Sequence, residues 1–146
     1  MVTTQPTSKL IKHVSRKAWW HVPPVDPDAF NARGKFYSST YREAEFYGNP
    51  GDSERVMVRN PLVGDEDTIE MTLFGKRCSE AMVKIQFTLR FYKARCALDA
   101  RIKRAALRKG YDSVILMPPA GFSEYARSGK IPRSIELNVL VPEEIR

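Results

Sequence analysis

Short runs of alternating apolar and polar residues occupy much of the chain, and one long stretch changes to helical spacing. The run Lys9-Leu-Ile-Lys-His-Val-Ser15 reads as a first strand behind a flexible polar tail over residues 1–8. Trp19 to Pro27 holds three prolines in its last five positions and reads as an irregular loop. Gly34–Ser39 reads as a second strand. Thr40, three residues before Glu43, forms a capping box that predicts a short helix through Tyr47. Asn49–Asp52 is a turn, and Glu54–Arg59 is a third strand stopped by Asn60-Pro61. Behind the acidic loop Gly64–Asp67, the alternation over Thr68–Leu73 predicts another short strand.

Between Lys76 and Lys109 there is no glycine or proline. Met82, Ile85, Leu89, Tyr92 and Cys96 form a helical stripe, and with no turn residue to end a strand first, the segment is read as helix. Gly110 ends it. Tyr111–Leu116 is a buried strand, residues 117–133 with five Gly or Pro form a long loop, and Ser134–Val141 is the final strand. Strands at both ends, and a long helical segment between the middle and final strands, predict an α+β fold in one domain over residues 9–146.

Composition changes this picture little, and charge changes it more. The chain has 146 residues and a net charge of +7. Residues 84–109 hold nine Lys or Arg against Asp99 alone, so this one segment accounts for the basicity. No apolar run approaches the ~18 residues of a membrane span, and the polar start lacks the apolar middle of a secretion signal. Cys78 and Cys96 make no disulfide framework, so a reducing, cytoplasmic setting is expected. The spacing of Cys78, Cys96, His13 and His21 matches no zinc pattern, and no metal is expected.

Glu136 is the first candidate for chemistry. Alternation places Glu136, Asn138 and Leu140 on one face of the last strand. A carboxylate and an amide beside Leu140 fit either a solvated sheet face or a polar cleft. His13 is the other titratable candidate on a strand. Phe36, Tyr37, Tyr41 and Tyr47 cluster around the second strand, as core or as a stacking platform for a planar ring.

In order, the pieces are a His strand, a glycine-aromatic strand with a following Tyr, a Gly-Tyr-Asp strand and a Glu strand. This order resembles the ADP-ribosyltransferase superfamily, in the branch with a His–Tyr–Glu set shared by diphtheria toxin and the poly(ADP-ribose) polymerases. Lys12–Ser15 is similar to the family's His-Gly-Thr/Ser strand, and Gly34–Tyr47 to the segment with its two stacking aromatics. Asn60–Leu62, Lys109–Ile115 and Glu136–Ile145 resemble small bacterial and phage-type members. The resemblance implies a split β-sheet cleft, NAD as co-substrate, and transfer of ADP-ribose to a macromolecular acceptor, protein or nucleic acid, with release of nicotinamide.

By the same resemblance Glu136 is the catalytic residue. His13 holds an NAD ribose hydroxyl, Ser15 helps seat the nicotinamide amide, and Phe36 and Tyr47 sandwich the ring; Val14 and Tyr37 count with them as cofactor positions. Val14 stands where the family has glycine, and Phe36 where it often has tyrosine. Ser134 lies two before Glu136, where arginine-modifying members carry Glu or Gln, which argues against an arginine acceptor. Phe122 and Tyr125 fall where such enzymes recognise the acceptor. Arg90, Lys93, Arg101, Arg104 and Arg108 share one side of the long helix, either as a solvated face or as a contact for a polyanion. The latter underlies the alternative function, a catalytically silent basic module binding nucleic acid or an acidic protein.

Overall fold

The computed structural model describes residues 8–22, 33–45, 48–78 and 89–140. The first element is a helix, α1 (Ser8–Arg16), and not the expected strand. Leu10 and Val14, four apart, share a helical face and are both fully buried. A strand would have turned Lys12 to the same side as both. The loop that follows contains a two-residue strand, β1 (Ala18–Trp19), and the second strand is in place as β2 (Lys35–Ser38).

The capping box is realised at α2 (Tyr41–Glu45). The Glu43 amide donates to Thr40 Oγ1 at 3.1 Å, and the Thr40 hydroxyl donates back to the Glu43 carboxylate at 3.1 Å. The third strand is shorter than expected, β3 (Glu54–Arg55). Pro61 does not stop a strand but opens one, β4 (Pro61–Gly64), since a proline in first position gives up no ladder bond.

Thr68–Leu73 is likewise helical, within α3 (Glu66–Phe74). Asp65 caps it by accepting from the Thr68 amide at 2.8 Å, so the acidic loop is a helix start. The long helix α4 (Leu89–Arg108) ends as expected at Gly110. With φ at 93°, Gly110 lets its own amide reach Leu107 O and the Tyr111 amide reach Ala106 O, the paired bonds of a Schellman closure.

After β5 (Ser113–Leu116), the expected long loop contains a helix, α5 (Pro119–Ser128). Its prolines sit at the N-terminus, where no amide is missed, and Gly129 closes it at φ 79°. The last strand is β6 (Glu136–Val139).

Four strands form one sheet in the order β2-β6-β5-β4, antiparallel except for the β4–β5 pair. β1 and β3 pair separately, and Trp20 bridges to Ser38, so the β1 segment lies along the β2 edge. Cross-strand register sorts the side chains into two faces. Val63, Ile115, Leu137 and Tyr37 form a row that packs with Leu10 and Val14 of α1, Trp19 and Tyr125 of α5. On the other face, Leu62 and Val114 pack with Ile69 and Leu73 of α3 and Leu98 and Ile102 of α4. The domain is therefore an α+β sheet between two helical layers.

Candidate functional site

Register places Glu136 opposite Ser38 on β2 and Leu116 on β5, on the face covered by α3 and α4. Phe36 and Asn138 form the next row of that face. Here the apolar packing gives way to charge. Asp99 of α4, 4% exposed, binds the Arg33 guanidinium at 2.7 Å and that of Arg95 at 3.3 Å. Arg95 also pairs with Glu66 in the first turn of α3. The carboxylates of Glu66, Asp99 and Glu136 thus surround Arg95, and Arg33 shares Asp99 with it.

Glu136 differs from the other two. Among the described residues no group donates a hydrogen bond to its carboxylate, which borders a cleft of about 450 Å³ with Ser38, Glu66, Leu116, Pro118 and Ser134. Burial pushes its pKa above the ordinary carboxylate value. The Arg95 charge opposes this, and Asp99 and Glu66 add to it. For Arg95, burial acts to lower the pKa, but Asp99, Glu66 and Glu136 together hold it above its usual value. Arg95 therefore stays charged beside an uncommitted carboxyl group that is closer to neutrality than most.

Glu43, a third carboxylate on the cleft besides Glu66 and Glu136, is occupied. Its oxygens accept from Ser134 Oγ at 2.7 Å and from Ser39 Oγ at 3.2 Å, tying α2 to the segment that enters β6. Gly34 supports the neighbouring row. At φ 90° it brings the backbone against Asn138, whose amide nitrogen donates to Arg33 O at 3.1 Å. A Cβ at Gly34 would stand 2.3 Å from Asn138 Oδ1.

Of the expected cofactor residues, Phe36 lies on the Glu136 face, with the Arg33 guanidinium 5.6 Å from its ring centroid. Tyr37 points to the opposite face and is core. Tyr47 lies outside the described residues. The strand expected to carry His13, Val14 and Ser15 is the helix α1, and it packs on the other face of the sheet. Val14 is fully buried there, His13 lines a different cleft, and the Ser15 hydroxyl donates to Lys12 O.

The histidine beside the aromatic strand is His21. Its Nδ1 lies 2.9 Å from Phe36 O and its ring 5.7 Å from that of Tyr37. Phe122 and Tyr125 sit on α5 and not on a loop; Tyr125 is buried in the core and Phe122 packs against it. Lys93, Arg101, Arg104 and Arg108 are exposed along the outer side of α4, while the Arg90 side chain lies outside the described residues.

Sequence reasoning singled out Glu136 but not Arg33, Glu66, Arg95 and Asp99, which the structure gathers near it. The spacing of Arg95 and Asp99, four apart opposite the exposed basic stripe, was the available signal. No helix among the described residues is long and apolar enough to cross a membrane. No protein-family model, curated protein or solved structure matches the chain.

Proposed function

We propose that the Glu136 cleft cleaves the glycosidic bond between nicotinamide and ribose in NAD and passes ADP-ribose to a macromolecular acceptor. The observation that carries this reading is the Glu136 carboxylate, half-buried, unbonded among the described residues and open to a cleft. Two features support it. Ser38 stands directly across from Glu136 and Phe36 follows in the next row, which is the aromatic strand beside the Glu strand that the family resemblance calls for. His21, next to the bridged Trp20 and within 2.9 Å of Phe36 O, is the histidine that lies beside β2, where the resemblance had put His13. Because the His21 ring leans on Tyr37, the reading gives it a role in ordering β2 and not in touching the ring.

In this chemistry the carbon–nitrogen bond breaks and its electron pair leaves with nicotinamide, which becomes neutral. Positive charge grows on the ribose, and a fixed carboxylate beside it stabilises the transition state more than the ground state. The acceptor heteroatom then bonds to the same carbon and gives up its proton. A carboxylate whose pKa burial has raised is a better base for that proton than an ordinary one. The Arg95 charge acts against that rise and favours the ionised form of Glu136.

The test is nicotinamide release from NAD by the purified protein, with protein and nucleic acid acceptors supplied, alongside Glu136→Gln. Release should fall by about 10²–10³-fold in the variant, the range for loss of one preorganised electrostatic group. Equal release by the variant, or neither release nor NAD binding by the wild type, overturns the reading.

The alternative of a silent binding module through α4 meets two side chains that are engaged locally. Arg101 lies over the Phe74 ring at 4.8 Å, and Arg108 donates to Arg104 O. Cations near a helix C-terminus are also favoured there by the helix dipole.

A further inference from the structure

Lys93, Arg101, Arg104 and Arg108 of α4 make no ion pair among the described residues, and a second set of cations in the same condition gathers on α1. Along α1, Lys9, Lys12, His13 and Arg16 recur at helical spacing, and Lys17 follows directly. With Ile131 they line a cleft of about 580 Å³ whose wall has no carboxylate among the described residues. Among the described residues none of these four Lys or Arg side chains makes an ion pair, whereas Arg33, Lys35, Arg77 and Arg95 all do. Crowding acts on the histidine as well: burial first, and then the Lys17 charge, lowers the His13 pKa. The site is built of like charges that nothing within the described chain offsets.

We propose that the α1 cleft binds the phosphate backbone of a nucleic acid strand, on the face of the domain opposite to Glu136. Lys9 to Arg16 covers about 10 Å of helix axis, roughly three phosphate steps at about 3.4 Å each along one strand, so the ladder exceeds what one phosphate can use. The chemistry does not suit a bilayer. An interfacial helix needs a free apolar face, and two of the three apolar residues of α1, Leu10 and Val14, are spent in the core, which leaves only the half-buried Ile11. Among the described residues Ile131 is the apolar side chain of the cleft, suited to a sugar or base edge.

The test is binding of short fluorescent DNA and RNA oligonucleotides, single-stranded and duplex, followed by anisotropy between about 50 and 200 mM salt. A triple variant, Lys9→Gln, Lys12→Gln and Arg16→Gln, should retain the fold, because all three side chains are exposed and glutamine is a good helix former. Circular dichroism and the melting temperature check this. Three lost phosphate contacts should make the slope of log affinity against log salt shallower by about three, with a matching drop in affinity at low salt. The paired control Arg101→Gln with Arg104→Gln on α4 should leave binding unchanged.

Binding lost in the α4 variant but kept in the α1 variant overturns the proposal. So does an absence of salt-dependent binding to any of the oligonucleotides, or tighter α1-dependent binding to anionic vesicles than to nucleic acid. Because Glu136 lies on the other face, Glu136→Gln should bind oligonucleotide like the wild type, so failure at one site does not imply failure at the other.

Discussion

The two faces of the central sheet are built on opposite principles. Under α1 and α5 the contacts are hydrocarbon and aromatic, with Trp19, Leu137 and Ile115 fully buried. Under α3 and α4 the same sheet carries Glu136, Asn138 and, from the helices, Asp99 and Glu70, three of them less than 6% exposed. Burying polar and charged groups is costly unless each is matched, and here the matching is partial. Asp99 has two guanidinium partners and Glu70 accepts the Cys78 amide at 2.6 Å, but Glu136 faces a cleft with no donor among the described residues. A fold that accepts this on one face and avoids it on the other has divided its work: the dry face holds the sheet together and the charged face holds a site. The cations of α1 fit the same division, since they lie on the outer side of the dry layer, where no burial is needed.

The largest effect should come from the dry face. Trp19 fills its centre and also donates Nε1–H to Val14 O at 2.9 Å, locking α1 to β1. Trp19→Ala should cost about 3–5 kcal/mol by the usual range for a buried aromatic, measured by urea unfolding. Trp19→Phe keeps an aromatic ring but loses the hydrogen bond and part of the packing, a cost of about 1–3 kcal/mol. If Trp19→Ala costs less than the Phe variant, α1 is not held by this contact and the dry face is not where stability resides.

Legibility followed the same division. Period-two strands with their own turn signals, β2, β5 and β6, could be read directly, as could α2 from Thr40 and Glu43. The α1 segment was misread because the seven residues Lys9–Ser15 satisfy either period; only Leu10 with Val14, and Lys9 with Lys12 and Arg16, mark the helix. Because the α1 lysines were read as part of a strand, their common cleft went unseen. In residues 117–133, prolines and glycines were counted as loop formers when Pro119 and Gly129 were the two ends of a helix. Glu136 was visible because one strand presents it. Its neighbours Glu66, Arg95 and Asp99 come from two helices far along the chain, and no local pattern records that convergence.

A smaller effect is expected at Gly34, where the charged face is tightest. An alanine there must hold φ near 90°, and its Cβ would meet Asn138 Oδ1 at 2.3 Å and Val139 O at 2.9 Å. Gly34→Ala should cost about 1–3 kcal/mol through strain and displaced neighbours. Because Phe36 and Asn138 share the row beside Glu136, nicotinamide release should fall along with stability. Trp19→Phe, on the other face, should leave release unchanged in the folded protein. Loss of activity with Trp19→Phe and not with Gly34→Ala would show that the site depends on the wrong face for the division drawn here.

The smallest effect is the most diagnostic, and it concerns the sign of what Glu136 does to stability. Its pKa is raised in the folded state, mainly by burial, so above the ordinary glutamate value of about 4.3 the folded chain binds more protons than the unfolded chain. Where the folded state holds the extra proton, stability falls as pH rises. The contribution of Glu136 is therefore complete below about pH 4 and is lost as pH climbs through its folded value. Glutamine keeps the shape and never ionises. Glu136→Gln should thus melt at the same temperature as the wild type in acid and at a higher temperature at neutral pH, even as it loses nicotinamide release. A variant that melts lower than the wild type at neutral pH, with the gap closing in acid, would mean that attraction to Arg95 outweighs burial. Glu136 would then be one more member of the ion-pair network, held for structure, and the two faces would differ in polarity without differing in purpose.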